Sequence, residues 1–152
     1  MRRAYYPGMK MPKWAQQAVK LVSKLHVWLF RLTRGWIGGR MMGCPVGLLT
    51  TKGRKSYRMI TRPLFYLRDG EHYYVVASFA GNDQEPAWWS NMKVHPRGRL
   101  EVRGRTVDVE GREASPDVHE RLWPRFVRMY RQYEDYQRAT ARRIPIIELT
   151  VV

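Results

Sequence analysis

Lys52, Arg54 and Lys55 crowd around Gly53, and the run that leads to them, Pro45-Val46-Gly47-Leu48-Leu49-Thr50-Thr51, is apolar until its last two residues. A strand that ends in a glycine turn exposes main-chain N–H groups beside fixed cations, and a phosphate rewards that donor set through charge-assisted hydrogen bonds. No Gly-x-x-x-x-Gly-Lys-Ser/Thr spacing occurs, so this is not a P-loop. An ordinary basic hairpin turn is the competing reading of these residues alone. A second group is Tyr130, Tyr133 and Tyr136, whose spacing of three keeps their rings close on a helical face. Core packing accounts for one or two such rings; three together suit the roof of a flat ligand. His26, His72, His95 and His119 lie far apart without partners at ligand spacing, so they read as surface or packing residues and no metal site is expected. The single cysteine, Cys44, excludes an intramolecular disulfide and suits a reducing compartment such as the cytoplasm.

Several elements must position these residues. Residues 1–12 mix Arg2, Arg3, Pro7, Gly8 and Pro12 and read as a loose tail. From Lys13 to Arg34 apolar residues recur at three and four (Trp14, Ala18, Leu21, Val22, Leu25, Trp28, Leu29, Leu32), with Lys20, Lys24 and Arg31 off the stripe, which predicts a basic amphipathic helix. Its apolar runs are too short to cross a bilayer or act as a signal sequence. The helix fits packing on the core, the stronger reading, or lying on an anionic membrane surface. Gly35, Gly38, Gly39 and Gly43 then lead into the first strand.

Ile60–Leu67 and His72–Ala77 predict a hairpin about Asp69-Gly70, with Pro63 arguing for an edge or a bulge. Ser78–Asp83 reads as a loop and Pro86 as the start of a short helix. Its adjacent Trp88 and Trp89 are expected to face different ways, one of them toward a pocket or interface. Leu100–Arg103 and Thr106–Arg112 predict a second strand pair about Gly104. Ser115-Pro116 starts a helix that Pro124 is expected to bend or split, and Ile144–Val152 closes the chain as a strand. Antiparallel strands with helices at the ends imply one domain over residues 1–152: mainly β with helical cover, a small closed sheet.

The formal charge is +15, and its placement matters more than its size. Fifteen lysines and arginines precede Asp69 and no acidic residue does, whereas the remainder balances. The excess therefore lies in the half that carries the Gly53 turn, which points to a bound anion or an anionic surface. Nucleic acid is not the expected partner, because neither zinc-ligand spacing nor an aromatic RNA-binding motif accompanies the charge.

From Trp28 onward the chain resembles the deazaflavin (F420)-dependent nitroreductase and quinone reductase family of actinobacteria. The carriers are Pro45–Thr51, Gly53-Arg54-Lys55-Ser56, Pro63-Leu64, Arg68-Asp69-Gly70, Val76-Ala77-Ser78, Pro86-x-Trp88-Trp89-x-Asn91 and His95-Pro96. Trp123-Pro124, Met129-Tyr130, Tyr133-x-x-Tyr136-Gln137 and Arg143-Ile144-Pro145-Ile146 complete them. The resemblance implies a split β-barrel of the FMN-binding type that takes reduced coenzyme F420. By position, Arg54, Lys55 and Ser56 would hold the phosphate and its anionic tail, with Thr50, Lys52, Gly53, Arg58 and Arg62 around them. Pro63, Ala77, Ser78, Phe79, Ala80, Gly81, Trp88, Trp89, Asn91 and Tyr133 would border the ring. Ser78, Tyr130, Tyr133 and Tyr136 would position the acceptor and hydrogen-bond to it. The family's usual glycine after the basic turn is Tyr57 here, Arg58 and Arg62 flank Ile60 where an arginine is usual, and Phe79-Ala80 replaces lysine-glycine, so cofactor affinity and acceptor choice are where this chain departs.

The implied reaction is hydride transfer to a quinone, a nitroaromatic or another activated unsaturated acceptor, in a monomer or homodimer. Such chemistry needs no nucleophile or metal from the protein, only alignment and a dry flat pocket. The rival within the fold is an FMN- or haem-binding barrel. The rival from another class is a non-enzymatic binder of anionic membrane or nucleic acid.

Overall fold

A computed structural model describes residues 13–152; the expected N-terminal tail over 1–12 lies outside them. Helix α1 spans Lys13–Leu32, strands β1 Arg40–Met41, β2 Cys44–Lys52, β3 Met59–Asp69 and β4 His72–Val76, helix α2 Ala87–Val94, strands β5 Arg97–Val102 and β6 Arg105–Glu113, helices α3 Pro116–Met129 and α4 Gln132–Ala139, and strand β7 Ile146–Val151. The strands run in the order β1-β2-β3-β4-β7-β6-β5, and β5 returns to pair with β2. Six antiparallel strands, β2 to β7, therefore close into a barrel, as the resemblance implied. At the closing seam Gly98 stands opposite Thr51, and a Cβ on it would meet the Thr50 carbonyl oxygen at 2.7 Å. Only a residue without a side chain lets the two backbones meet there. The two-residue β1 was not expected from the sequence; it extends β2 through Met41↔Cys44.

The hairpin turns at Gly70, with φ +60, and the β5–β6 pair turns at Arg103-Gly104, both residues having positive φ. β3 pairs with β2 from Met59 to Phe65 but with β4 only from Tyr66 onward. Pro63 thus sits where one side of β3 has no strand partner, which is where a residue without an N–H is tolerated.

One core fills the barrel: Leu49, Val75, Leu100, Val109, Ile147 and Leu149 meet Trp88, Trp89 and Met92 of α2. The expectation that the two tryptophans would face different ways, one of them toward a pocket or interface, is overturned, since both are buried in the same core. α2 sits among the strands rather than on them, so side chains about 100° apart on the helix both meet the core. A second core joins Tyr74, Val76 and Ile146 to Leu122, Phe126 and Tyr133 of α3 and α4. Ser115 caps α3 through the Val118 N–H, and Pro124 stays inside the helix without splitting it; the break comes at Tyr130, in extended conformation.

α1 ends where the Gly35 N–H (φ +82) reaches the Phe30 carbonyl at 2.7 Å, a left-handed helix stop. Its fit to the barrel reverses the favoured expectation. The face toward the body is Ser23, His26, Val27 and Phe30, with Phe30 buried, His26 bonded to the Gly38 carbonyl and Arg31 bonded to Glu101 at 2.6 Å. The apolar stripe Trp14, Leu21, Val22, Leu25, Trp28 and Leu32 lies on the opposite side, each residue more than half exposed. No helix among the described residues is long and apolar enough to cross a membrane.

Candidate active site

A cavity of about 250 Å³ opens beside the partnerless stretch of β3. Pro63, Leu64 and Phe65 form one wall, Ser78 and Ala80 another, and Tyr130, Tyr133 and Tyr136 the roof, with Met41 and Met42 at the rim. The three rings do converge, with centroids 5.2, 6.2 and 6.3 Å apart. They do so across a helix break rather than along one helical face, because Tyr130 ends α3 while Tyr133 and Tyr136 belong to α4. The Tyr130 and Tyr136 hydroxyls both donate to Gln132 Oε1. Tyr133 is buried against Phe126 and Trp123, and that burial pushes its phenol far above the usual range. Its hydroxyl is therefore protonated throughout the physiological pH range, and it has no hydrogen-bond partner among the described residues. It is the one roof phenol free to donate to a ligand.

The loop after β4 is shaped for this wall. Phe79, Ala80 and Gly81 have φ of +45, +52 and +76, a left-handed turn in which two residues carry side chains. Gly81 is required because a Cβ there would meet the Tyr136 carbonyl oxygen and Cα at 2.9 Å. Arg142 holds the turn through the carbonyls of Ala77, Ser78 and Asn82, at 3.2, 2.9 and 2.9 Å, and Thr140 donates to Asp83 at 2.8 Å. Burial lowers the Arg142 pKa. Neither Arg142 nor the methionine rim was singled out from the sequence; arginine in a loop and paired methionines carry no spacing signal of their own.

The basic turn lies at the other end of the same stretch of β3. From Pro63 at the cavity to Met59, opposite Lys52, the strand advances four residues, about 13 Å. The turn closes through Gly53 N–H to Arg58 O at 2.8 Å and Tyr57 N–H to Gly53 O at 2.9 Å, and the Arg54 N–H is anchored on buried Asn91 Oδ1 at 3.1 Å. Tyr57 has φ +57, a left-handed conformation that strains a bulky residue by about 1–2 kcal/mol. Arg54, Lys55, Ser56 and Arg58 are exposed. Among the described residues, Lys52, Arg54, Lys55, Arg58 and Arg62 have no carboxylate within ion-pair distance, whereas Arg31, Arg97, Arg99, Arg112, Arg121, Arg125 and Arg138 all do.

That contrast separates the turn from the paired arginines of β5 and β6. Arg68, Arg103 and Arg105, at a third cavity of about 520 Å³, also lack a carboxylate partner among the described residues, and what the turn has besides is its place on the strand edge that borders the tyrosine cavity. A larger groove, about 920 Å³, runs past Arg31, Arg97 and Arg99, but Glu101, Glu110 and Asp108 already neutralise them. Of the expected residues, the structure brings Pro63, Ser78, Ala80, Tyr130, Tyr133 and Tyr136 to the cavity and Lys52 to Arg58 to the turn. Trp88 and Trp89 lie in the core and not at the cavity wall, Ala77 is buried, and Phe79 points into solvent. Thr50 bonds Thr61 Oγ1 at 2.7 Å and faces the larger groove. No group of three or more metal-ligating side chains occurs among the described residues.

Comparison with known proteins gives the family of the chain. The model of the F420H(2)-dependent quinone reductase family matches residues 22–150. An F420H(2)-dependent quinone reductase of Mycobacterium tuberculosis (strain ATCC 25618 / H37Rv) is 32% identical, the match covering 93% of this chain and 99% of the relative. A solved F420-H2 dependent reductase is 31% identical with a TM-score of 0.64, over 69% of this chain and 93% of that one. A solved domain-swapped dimer is 27% identical with a TM-score of 0.66, over 90% and 96%. A cavity roofed by phenols, joined along one strand edge to a turn of unpaired cations, thus stands in a chain that belongs to the F420H(2)-dependent quinone reductase family.

Proposed function

We propose that this chain is an F420H2-dependent reductase whose acceptor is a quinone, with nitroaromatics and other activated unsaturated compounds as further acceptors. The observation that carries the reading is the set of cations without a carboxylate partner that runs from the Gly53 turn (Lys52, Arg54, Lys55 and Arg58) to Arg62, beside Pro63 on the strand edge that borders the cavity. FMN ends at one phosphate, whereas the deazaflavin coenzyme continues into a chain of carboxylates, so the longer ligand makes use of Lys52, Arg54, Lys55, Arg58 and Arg62 together. Bound there, reduced F420 supplies a hydride. The chain's own contributions are to fix the tail at the turn, to align a flat ring against Pro63 and Ser78, and to exclude water with the tyrosine roof. The neutral Tyr133 hydroxyl is placed to donate a hydrogen bond to the acceptor oxygen as that oxygen gains negative charge. The direct assay adds menadione to the protein with reduced F420 and follows the rise in oxidised cofactor. The reading predicts enzyme-dependent oxidation; none across quinones and nitroaromatics would overturn it.

The exposed stripe of α1 supports a second element, attachment to an anionic membrane. Trp14, Trp28 and Leu32 face outward with Lys20 and Lys24 exposed beside them, and Trp36 continues the apolar surface. Aromatic and aliphatic side chains flanked by lysines suit the interface of an anionic bilayer, where each nearby cation contributes about 1 kcal/mol. Weak, salt-sensitive co-sedimentation with anionic vesicles is expected, lost on deletion of residues 1–30. Equal sedimentation of the full-length and truncated chains would contradict it.

A further inference from the structure

Tyr57 occupies a conformation that favours glycine, yet its ring is more than half exposed and fills no core. A bulky residue in this conformation costs the fold strain that glycine or asparagine would not, and strain of this kind gathers where a ligand is held. Its surroundings indicate which ligand. The Lys52 ammonium lies 5.1 Å from the ring centroid, and the His95 ring flanks it with centroids 5.7 Å apart. A carboxylate partner would fix Lys52 but cancel its charge. An aromatic face fixes the ammonium through its quadrupole and leaves the charge available to an anion. The His95 main-chain N–H donates to the Asn91 carbonyl at the end of α2, and the Asn91 side chain accepts from the Arg54 N–H, so the residue that carries the flanking ring and the basic turn share one anchor. His95 Nε2 is buried and has no hydrogen-bond partner among the described residues.

We infer that Tyr57 is a specificity-determining residue for the anionic tail of the cofactor: its ring holds the Lys52 ammonium in place and it presents its own hydroxyl beside the phosphate-binding turn. The inference rests on the turn being the tail site. It makes the chain discriminate between the complete coenzyme and the same deazaflavin ring bearing only its ribityl chain. The turn lies about 13 Å along β3 from Pro63, so the ring contacts at Pro63 and Ser78 are made by residues outside it.

The test titrates the full chain with oxidised F420 and with the tail-less deazaflavin, read by quenching of tryptophan fluorescence, in wild type, Tyr57→Asn and Tyr57→Phe. Asparagine tolerates the left-handed conformation and removes the ring. Tyr57→Asn is expected to raise the melting temperature by about 2–4 °C, to weaken F420 binding about tenfold and to leave the tail-less ligand unchanged. Tyr57→Phe, which keeps the ring under Lys52 and removes only the hydroxyl, should lose less. Unchanged F420 affinity in Tyr57→Asn beside a wild type that prefers F420 would overturn the role of Tyr57 alone. A wild type that binds F420 no better than the tail-less ligand would overturn the tail site itself. An equal loss for both ligands, together with a lower melting temperature, would reduce Tyr57 to a structural residue and overturn the inference.

Discussion

Replacing Arg54 and Lys55 together by alanine is expected to weaken cofactor binding by about 2–5 kcal/mol, roughly thirty-fold to several thousand-fold. Each cation offers a charge-assisted hydrogen bond of about 1.5–3 kcal/mol to an anion, and neighbouring contributions fall short of additive. Neither side chain has an ion-pair partner to leave behind, so the loss falls on the ligand and not on the fold. The Arg54 main-chain N–H keeps its bond to Asn91 in the variant, so the turn itself stays in place. Binding lost in this way is the same in ground and transition states, and turnover at saturating cofactor changes little. Fluorescence titration of the variant measures the effect; an unaltered Kd would put the phosphate elsewhere.

Much of the barrel could be read from local signals. Asp69-Gly70 and Gly104 mark turns that need positive φ, Ser115-Pro116 marks a capped helix start, and the β-branched and aromatic runs between them become strands at nearly the expected bounds. Ring closure was less visible, because the β2–β5 pairing joins segments about fifty residues apart and its signature, Gly98 against the Thr50 carbonyl, is a single glycine. The apolar stripe of α1 was legible as a stripe, but periodicity reports amphipathicity and not its direction. What turns the stripe outward is the opposite face, where Phe30, His26 and Arg31 find Gly35, Gly38 and Glu101.

The site followed the same division. The cations of the Gly53 turn and the tyrosines were legible because charge and spacing show in one dimension. That the cations lack carboxylate partners, that Tyr133 alone among the roof phenols is unbonded and that Arg142 fixes the Ser78 loop all depend on which distant segments meet. Trp88 and Trp89 misled because a helix lying among the strands buries positions that a surface helix would expose.

The second large effect is the choice between two flavin-like ligands. Oxidised F420 and FMN present similar rings to the cavity but differ in the charge they bring to the turn. Five cations with no carboxylate partner are repelled by one another and gain more from several carboxylates than from one phosphate. Part of this gain is screened because the cations are exposed, so it appears as a difference in affinity and as a steeper response to salt. FMN is expected to bind at least tenfold more weakly than F420, a difference of about 1.4 kcal/mol. The deciding measurement is a pair of equilibrium titrations of the purified chain, one with oxidised F420 and one with FMN, in the same buffer and at two salt concentrations. The account predicts the tighter and more salt-sensitive Kd for F420; FMN that co-purifies or binds as tightly as F420 would contradict it and assign the barrel to a flavin.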